Sequence, residues 1–270
     1  MTLPITKLSS NKRSGRLILL QGRSGTGKTY QGGLLMQAGM RVLWASVERK
    51  LATIQHLEPE VWPIMGVDFP LDAQEKHAML NTPVPPEGHC ASDVIKLLDY
   101  LRNEDHPYDV VYFDSGMRYT WRLLEHLIST TTTTQGDKDP RRAFLHYGKK
   151  VKMLLDKLTD LTDASTAKHP MHVVFTWGIS PDKDESGRQL WLPVVDGNMV
   201  GPTIPYNFDD VLTLKALADY TTGEYKYVME TRATHDHDGK VSSPVNLPPV
   251  IESPNLASVI KTLSGTHVGS

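Results

Sequence analysis

Short apolar runs recur along the chain, and polar stretches separate them. Four of them read RLILL, RVLWASVE, DVVYFDS and MHVVFTWG, beginning at Arg16, Arg41, Asp109 and Met171. A short run without polar alternation is typical of a strand that is buried on both faces of a parallel sheet. Two later runs, DDVLTLKALA and EYKYVMETRA, are joined by DYTTG, which predicts an antiparallel hairpin.

Longer segments have the periodicity of amphipathic helices. They read TYQGGLLMQAG, ASDVIKLLDYLRNE and RRAFLHYGKKVKMLLDKLTDLTD. In the last of these, apolar residues recur at helical spacing, namely Val151, Leu154, Leu155, Leu158 and Leu161. Strands that alternate with helices predict an α/β fold: a mainly parallel sheet flanked by helices, with the antiparallel hairpin at the C-terminal end.

Two segments fit neither pattern. Residues 51–90 contain the proline-rich stretch NTPVPPEG and are interpreted as an irregular insertion. Residues 129–142, STTTTTQGDKDPRR, lack an apolar anchor and are interpreted as a mobile loop. With these additions, residues 1–270 are expected to form a single domain.

Composition narrows the expected compartment and partners. The one cysteine, Cys90, excludes an internal disulfide. No apolar stretch approaches the roughly 20 residues that cross a bilayer, and the first residues lack an apolar signal core, so we expect a cytoplasmic protein without a membrane partner. The net charge of −2 gives no global sign of nucleic-acid binding, which would therefore need a local basic surface.

A glycine-rich loop follows the first apolar run. Residues 22–29, GRSGTGKT, fit the phosphate-binding pattern G-x-x-x-x-G-K-[ST] and lie between a predicted strand and a predicted helix. Glycines let backbone amides approach phosphate oxygens, and the N-terminus of the helix faces the anion. We therefore predict ATP bound by the loop and the residue after it: Gly22, Arg23, Ser24, Gly25, Thr26, Gly27, Lys28, Thr29 and Tyr30.

Two carboxylates are candidates for the chemistry of ATP hydrolysis. Asp114 ends an apolar strand, as a Walker B aspartate does, and with Thr29 it is predicted to hold Mg²⁺. Ser115 follows it, so the glutamate that some ATPases carry beside this aspartate is missing. Glu48, at the end of the second predicted strand, is the candidate base for the attacking water. The alternative is a surface glutamate paired with Arg49 or Lys50.

This order of residues resembles the RecA-like ATPase core. The stretch LPVVDGNMVGPTIPYNFDDVLTLK and the hairpin after it resemble phage-encoded RecA-like proteins that anneal single strands and mediate recombination, and the likeness spans roughly residues 15–261. The resemblance implies that Lys28 contacts the triphosphate, that Asp114 belongs to the metal shell and that Glu48 is the base. It also implies that Thr176 senses the γ-phosphate, beside Trp177, where a glutamine is expected.

The same resemblance implies partners. It predicts single-stranded DNA, a homo-oligomeric ring or filament, and a single-stranded-DNA-binding protein. Lys240, with Arg232, is predicted to reach a neighbour's γ-phosphate, although both could be plain surface cations. The loops after Ser115 and Gly178 are expected to face DNA, with Tyr119 or Trp121 stacking on a base. The candidate basic residues are Arg118, Arg122, Lys138, Arg141, Arg142, Lys149, Lys150 and Lys152.

Other interpretations remain open at this stage. The same core serves nucleotide-gated assembly or packaging ATPases that do not bind DNA. A small P-loop kinase is less well supported, because DKDESGRQLW, the candidate lid, offers only Arg188. The segment THDHDGK is either a solvated turn or a metal site formed by His235, Asp236, His237 and Asp238.

Overall fold

A computed structural model describes residues 15–47, 51–63, 94–183, 187, 189–196, 201–219, 221–242 and 245–265. Their strands are β1 (Leu17–Gly22), β2 (Val42–Ser46), β3 (Glu60–Pro63), β4 (Val110–Asp114), β5 (His172–Lys183), β6 (Gln189–Pro193), β7 (Asp210–Ala218), β8 (Tyr225–Glu230), β9 (Lys240–Val241) and β10 (Val250–Glu252). Their α-helices are α1 (Lys28–Gln37), α2 (Val94–Asn103), α3 (Gly116–Thr130), α4 (Pro140–Asp160) and α5 (Leu256–Leu263), and short 3-10 turns lie at Gln55–Leu57 and Gly201–Asn207.

The strands form one sheet with β1 near its centre. The order is β10-β8-β7-β1-β5-β4-β2-β3, with β6 paired to β5 and β9 paired to β7. All neighbours from β7 to β3 are parallel, whereas β8 and β10 continue the sheet with antiparallel pairs. This is the predicted α/β fold, a mainly parallel sheet flanked by helices, and the C-terminal hairpin is confirmed.

Helices cover both faces of the sheet because the central strands are apolar on both sides. Leu17 and Leu19 belong to a core that includes α2, α3 and α4. Ile18 and Leu20 belong to a second core that includes α1 and α5. Alternate residues of a strand point to opposite faces, so β1 is buried on both sides and its end is held rigidly.

Some strands and helices of the structure were predicted from the sequence, and others were not. All six predicted strands and all three predicted helices are present. The helices α3 and α5 were not predicted, nor were the strands β3, β6, β9 and β10. Among the described helices, none is both long and apolar enough to span a bilayer.

The two segments interpreted as irregular are more regular than expected. In the first, Glu60–Pro63 forms β3 and pairs in parallel with β2; residues 64–90, including Cys90, lie outside the described residues. In the second, residues 129–130 end α3 and Pro140 begins α4. The turn between them is closed by the Thr133 N–H donating to Asp137 O over 2.7 Å. The mobility of residues 131–139 stays a prediction.

Candidate nucleotide-binding site

The glycine-rich loop leaves the central strand and enters α1 directly. Gly25 and Gly27 have φ values of 79° and 88°, in the left-handed region that side chains disfavour. At Gly22, an added Cβ would lie 2.6 Å from the Leu214 carbonyl oxygen and 2.7 Å from Thr26 Oγ1. Conformation and space therefore require glycine at these three positions, two of which, Gly22 and Gly27, are the glycines of the motif.

The loop and the start of α1 have hydrogen-bond donors that are available to an anion. Gly27 precedes α1 and supplies no side-chain cap, so the first N–H groups of the helix remain available to an anion. The Lys28 ammonium donates to the carbonyl oxygens of Gly22 (2.8 Å) and Arg23 (2.7 Å), which holds its positive charge over the loop. The Tyr112 hydroxyl donates to the Lys28 carbonyl oxygen and fixes the start of the helix to β4.

Asp114 joins three elements at one edge of the sheet. Its Oδ2 accepts a hydrogen bond from Thr29 Oγ1 (2.8 Å), and its Oδ1 accepts one from Thr176 Oγ1 (2.9 Å). The exposed fraction is 7% for Asp114 and 0% for Thr176. Hydroxyl and carboxylate oxygens are the ligands that Mg²⁺ prefers, so this donor set fits the metal predicted from the sequence.

Trp177 lies away from this edge. Successive residues of β5 face opposite sides of the sheet. Thr176 therefore points toward Asp114, and Trp177 points into the core that includes α2, α3 and α4. The Trp177 indole N–H donates to the Val194 carbonyl oxygen over 2.8 Å, and its ring is 1% exposed. Trp177 is therefore a core residue, and the polar residue of this stretch at the site is Thr176.

Glu48, the predicted base, lies outside the described residues, as do Arg49 and Lys50. The residues just before Glu48 nevertheless lie beside the site, because Ser46 is opposite Asp114 in the parallel pairing of β2 and β4. The Val47 N–H donates to the Asp114 carbonyl oxygen over 2.9 Å. The role of Glu48 stays a prediction.

Lys240 lies in a strand and not in the turn that THDHDGK suggested. It belongs to β9 and pairs with Val211, which is level with Leu19 in the middle of β1. Its ammonium is 3.3 Å from the Tyr206 carbonyl oxygen and donates to it. The other candidate cation, Arg232, is exposed and donates to Asn246 Oδ1 at 3.4 Å. Whether either cation acts on a neighbouring subunit stays a prediction.

The segments expected to face DNA are regular structure. Helix α3 begins at Gly116, directly after Ser115, and β5 continues beyond Gly178 to pair with β6. Tyr119 is 2% exposed inside the core, so the prediction that it stacks on a base is wrong. Trp121 is partly exposed, and the Arg118 guanidinium lies 5.2 Å from the centre of its ring.

Exposed basic side chains follow one face of α4. Arg142, Lys149 and Lys152 are exposed there, at positions that recur every three or four residues with Leu145 between them. We call these three residues the α4 basic stripe. Two of the remaining candidate DNA-binding cations contact other side chains. Arg122 forms an ion pair with Glu125 at 2.9 Å, and Arg118 stacks on Trp121.

The THDHDGK segment is solvated only in part: Thr234 and His235 are exposed, whereas His237 is 4% exposed. Its Nδ1 lies 2.8 Å from Asp236 Oδ1, and its Nε2 lies 2.6 Å from Glu230 Oε2 without the alignment of a hydrogen bond. The Thr234 hydroxyl, above all, lowers the pKa of Asp236 to about 2. Within the described part of the chain, no cluster of three or more His, Cys, Asp or Glu side chains could hold a metal.

A cavity of 1220 Å³ opens over the phosphate loop. Its walls include Asp114, Ser115 and Gly178 at one end, beside residues 24–31 of the loop and α1. Sequence reasoning missed the other wall, which comes from the β7–β8 hairpin and from residues 253–255 before α5. The sequence signal for this wall was the pattern Tyr225-Lys226-Tyr227, which places two aromatic residues on one face of a strand.

The fold and the loop define an α/β protein with a phosphate-binding P-loop. The chain belongs to the AAA_24 family, described as an AAA domain, which it matches over residues 14–243. This family supports the nucleotide-binding assignment of the loop.

Comparisons with solved structures give matches to 91 chains. One is the flagellar accessory protein FlaH from Methanocaldococcus jannaschii, at 12% identity and a TM-score of 0.36, with 89% of this chain and 90% of that chain covered. Another is the KaiC-like protein PH0186 from Pyrococcus horikoshii OT3, at 12% identity, a TM-score of 0.41 and the same coverage. A comparison with curated proteins gives no match.

Proposed function

We propose that the protein is a magnesium-dependent ATPase of the RecA-like kind that acts on single-stranded DNA in recombination, annealing or repair, like the phage-encoded proteins it resembles. The observation that carries the ATPase part is the pair of hydrogen bonds from Thr29 and Thr176 to the two oxygens of Asp114. They join the helix of the phosphate loop to the end of β4 and to Thr176 within β5, where a metal and a γ-phosphate would meet.

Each residue of the site has a distinct task in this proposal. The amides of residues 23–29 and the Lys28 ammonium bind the triphosphate, and Thr29 with Asp114 would hold Mg²⁺, whose charge would offset that of the β- and γ-phosphates. Thr176 orients the Asp114 carboxylate. Glu48 takes a proton from the water that attacks the γ-phosphorus, and the products are ADP and phosphate.

The ATPase part is tested by measuring phosphate release against Mg²⁺ concentration. Asp114→Asn keeps the shape of the side chain but removes its charge, so we expect a loss of Mg²⁺-stimulated hydrolysis. Asp156→Asn, an exposed position on α4, is the matched control and should behave as the wild type. Equal hydrolysis in the two variants would contradict the assignment of Asp114.

The DNA part is supported by the α4 basic stripe and by the partly exposed Trp121. Lysine and arginine side chains that follow one helix face can track a phosphate backbone, and an aromatic ring can stack on a base. The overall charge of −2 makes this local concentration of cations more telling than it would be in a basic protein.

The DNA part is tested by equilibrium binding to a single-stranded oligonucleotide, with and without ATP and Mg²⁺, over a range of salt concentrations. We expect Lys149→Ala/Lys152→Ala to weaken binding and to reduce its salt dependence. Lys96→Ala/Lys261→Ala removes the same charge from α2 and α5 and should leave binding unchanged. ATP hydrolysis without salt-sensitive DNA binding would favour an assembly or packaging ATPase instead.

A further inference from the structure

The β7–β8 hairpin extends past the phosphate loop. Gly22, the last residue of β1, lies opposite Leu214, and β7 continues from there to Ala218. Four further residues of strand extend about 13 Å at roughly 3.3 Å per residue. The end of the hairpin therefore overhangs the loop, and its residues form a wall of the cavity.

Two tyrosines stand exposed on the cavity side of this overhang. Tyr225 and Tyr227 lie opposite Ala218 and Ala216, whose small side chains leave the rings uncovered. Tyr225 is 63% exposed and Tyr227 is 43% exposed, and both line the cavity. They share the face of β8 with Met229, which packs in the core beside α1, so they are on the α1 side of the sheet.

The chain before α5 is fixed beside these rings. The Ser253 N–H donates to the Tyr227 carbonyl oxygen over 3.2 Å. Gln31 of α1 is 3% exposed; its amide donates to the Pro254 carbonyl oxygen (2.9 Å) and accepts from the Leu256 N–H (2.8 Å). Because Gln31 is two residues after Thr29, these two hydrogen bonds tie the wall to the helix that carries the phosphate loop.

We propose that Tyr225 and Tyr227 bind the nucleobase of the triphosphate whose phosphates the loop holds, and that Gln31 is the positioning residue for this base site. The inference rests on the proposed nucleotide binding and adds the residues that recognise the nucleoside. Side chains two residues apart on a strand are about 6.7 Å apart, and aromatic rings at such separations can stack on a flat base.

The test compares the binding of ATP with that of inorganic tripolyphosphate, which has the charge but no base. Equilibrium affinities of both are measured with Mg²⁺ for the wild type, Tyr225→Ala, Tyr227→Ala and the double phenylalanine variant. We expect each alanine variant to bind ATP about five- to 150-fold more weakly, the range for loss of a base–aromatic stack, with tripolyphosphate affinity unchanged. The phenylalanine variant should keep most of the ATP affinity, because it retains both rings.

Leu217→Ala is the matched control, since Leu217 is 48% exposed on the opposite face of the same hairpin and should have no effect. Wild-type ATP affinity in both alanine variants would overturn the base site, and so would an equal loss of ATP and tripolyphosphate. A loss of single-stranded-DNA binding with ATP affinity unchanged would overturn it too and assign the tyrosines to DNA. If the wild type binds neither ATP nor tripolyphosphate, the proposed function itself fails.

Discussion

At the scale of single residues, the Thr29 hydroxyl is the group that would ligate the proposed Mg²⁺. A hydroxyl has one proton to donate and two lone pairs to offer. Thr29 uses its proton on Asp114 Oδ2, over 2.8 Å, so its oxygen keeps lone pairs for a metal. The Asp114 carboxylate would then lie one hydrogen bond behind that ligand and would add negative charge to the proposed site.

Lys28→Ala should abolish tight ATP binding and leave the fold intact. The substitution removes the cation over the loop, while the loop glycines and the buried strand β1 are unchanged. Hydrogen bonds to charged groups contribute about 1.5–3 kcal/mol each, so we expect the ATP affinity to fall by at least tenfold. ATP binding by calorimetry and the melting temperature check the two halves of this expectation, and normal affinity in a folded variant would contradict our reading of the loop.

Glu48→Gln should bind ATP normally and lose most hydrolysis. The amide keeps the size of the side chain but cannot accept the proton of the attacking water, and a general base contributes roughly 10²- to 10⁴-fold in rate. Single-turnover hydrolysis and ATP affinity, measured on the same preparation, separate chemistry from binding. Unchanged hydrolysis would place the base elsewhere and leave Glu48 as a surface residue.

At the scale of elements, the packing of α3 depends on the absence of a side chain at Gly116. A Cβ there would lie 2.2 Å from the Phe175 ring and 2.5 Å from the Trp177 ring, both buried in the core. This close approach lets α3 begin immediately after Asp114 and Ser115. A glycine thus determines where the helix beside Asp114 can lie.

Gly116→Ala should therefore destabilise the protein, whereas Gly148→Ala should not. Overpacking a core typically costs about 1–3 kcal/mol. Gly148, inside α4, has no atom within 4 Å of an added Cβ, and alanine is favoured over glycine in a helix by roughly 0.5–1 kcal/mol. Urea unfolding should show a lower free energy of unfolding for Gly116→Ala and a higher one for Gly148→Ala, each compared with the wild type. Equal effects would show that α3 can shift to accept the methyl group.

The sequence predicted the elements that leave a local pattern and missed most of those that depend on distant partners. The apolar runs predicted the central strands because burial on both faces leaves a local pattern, and the phosphate loop was predicted because its geometry is local as well. Helix α3 was missed although Tyr119, Leu123 and Leu127 recur at helical spacing, because it was read as a loop facing DNA. The strands β3, β6, β9 and β10 are two to five residues long and depend on distant partners.

At the scale of the whole molecule, Lys240 lies apart from the described cations of the phosphate loop and its cavity. The Lys28 ammonium lies over the loop, Arg23 packs on Trp191, 5.3 Å from the ring centre, and Lys226 lines the cavity and pairs with Glu252 at 2.7 Å. Lys240 is level with Leu19, three residues before Gly22, which corresponds to about 10 Å along β1. If Lys240 contributes to catalysis, the phosphate it approaches therefore belongs to a neighbouring subunit.

We accordingly predict that ATP promotes a ring or filament and that Lys240→Ala lowers hydrolysis more than ATP affinity. A cation delivered across an interface stabilises charge that develops on the γ-phosphate, and such residues contribute about 10³- to 10⁵-fold in rate. Lys168→Ala, which removes a surface lysine paired with Asp105, is the control and should keep full activity. The oligomeric state is measured by light scattering with and without ATP.

The decisive measurement mixes the Lys240→Ala and Glu48→Gln proteins, each of which is expected to hydrolyse ATP slowly on its own. In a mixed oligomer, an interface with the wild-type Glu48 on one side and the wild-type Lys240 on the other has a complete site, so ATPase activity should return. The recovered activity should rise with the fraction of such interfaces as the mixing ratio approaches equality. No recovery in oligomers shown to be mixed would argue against action across the interface, and a strictly monomeric, fully active ATPase would rule it out.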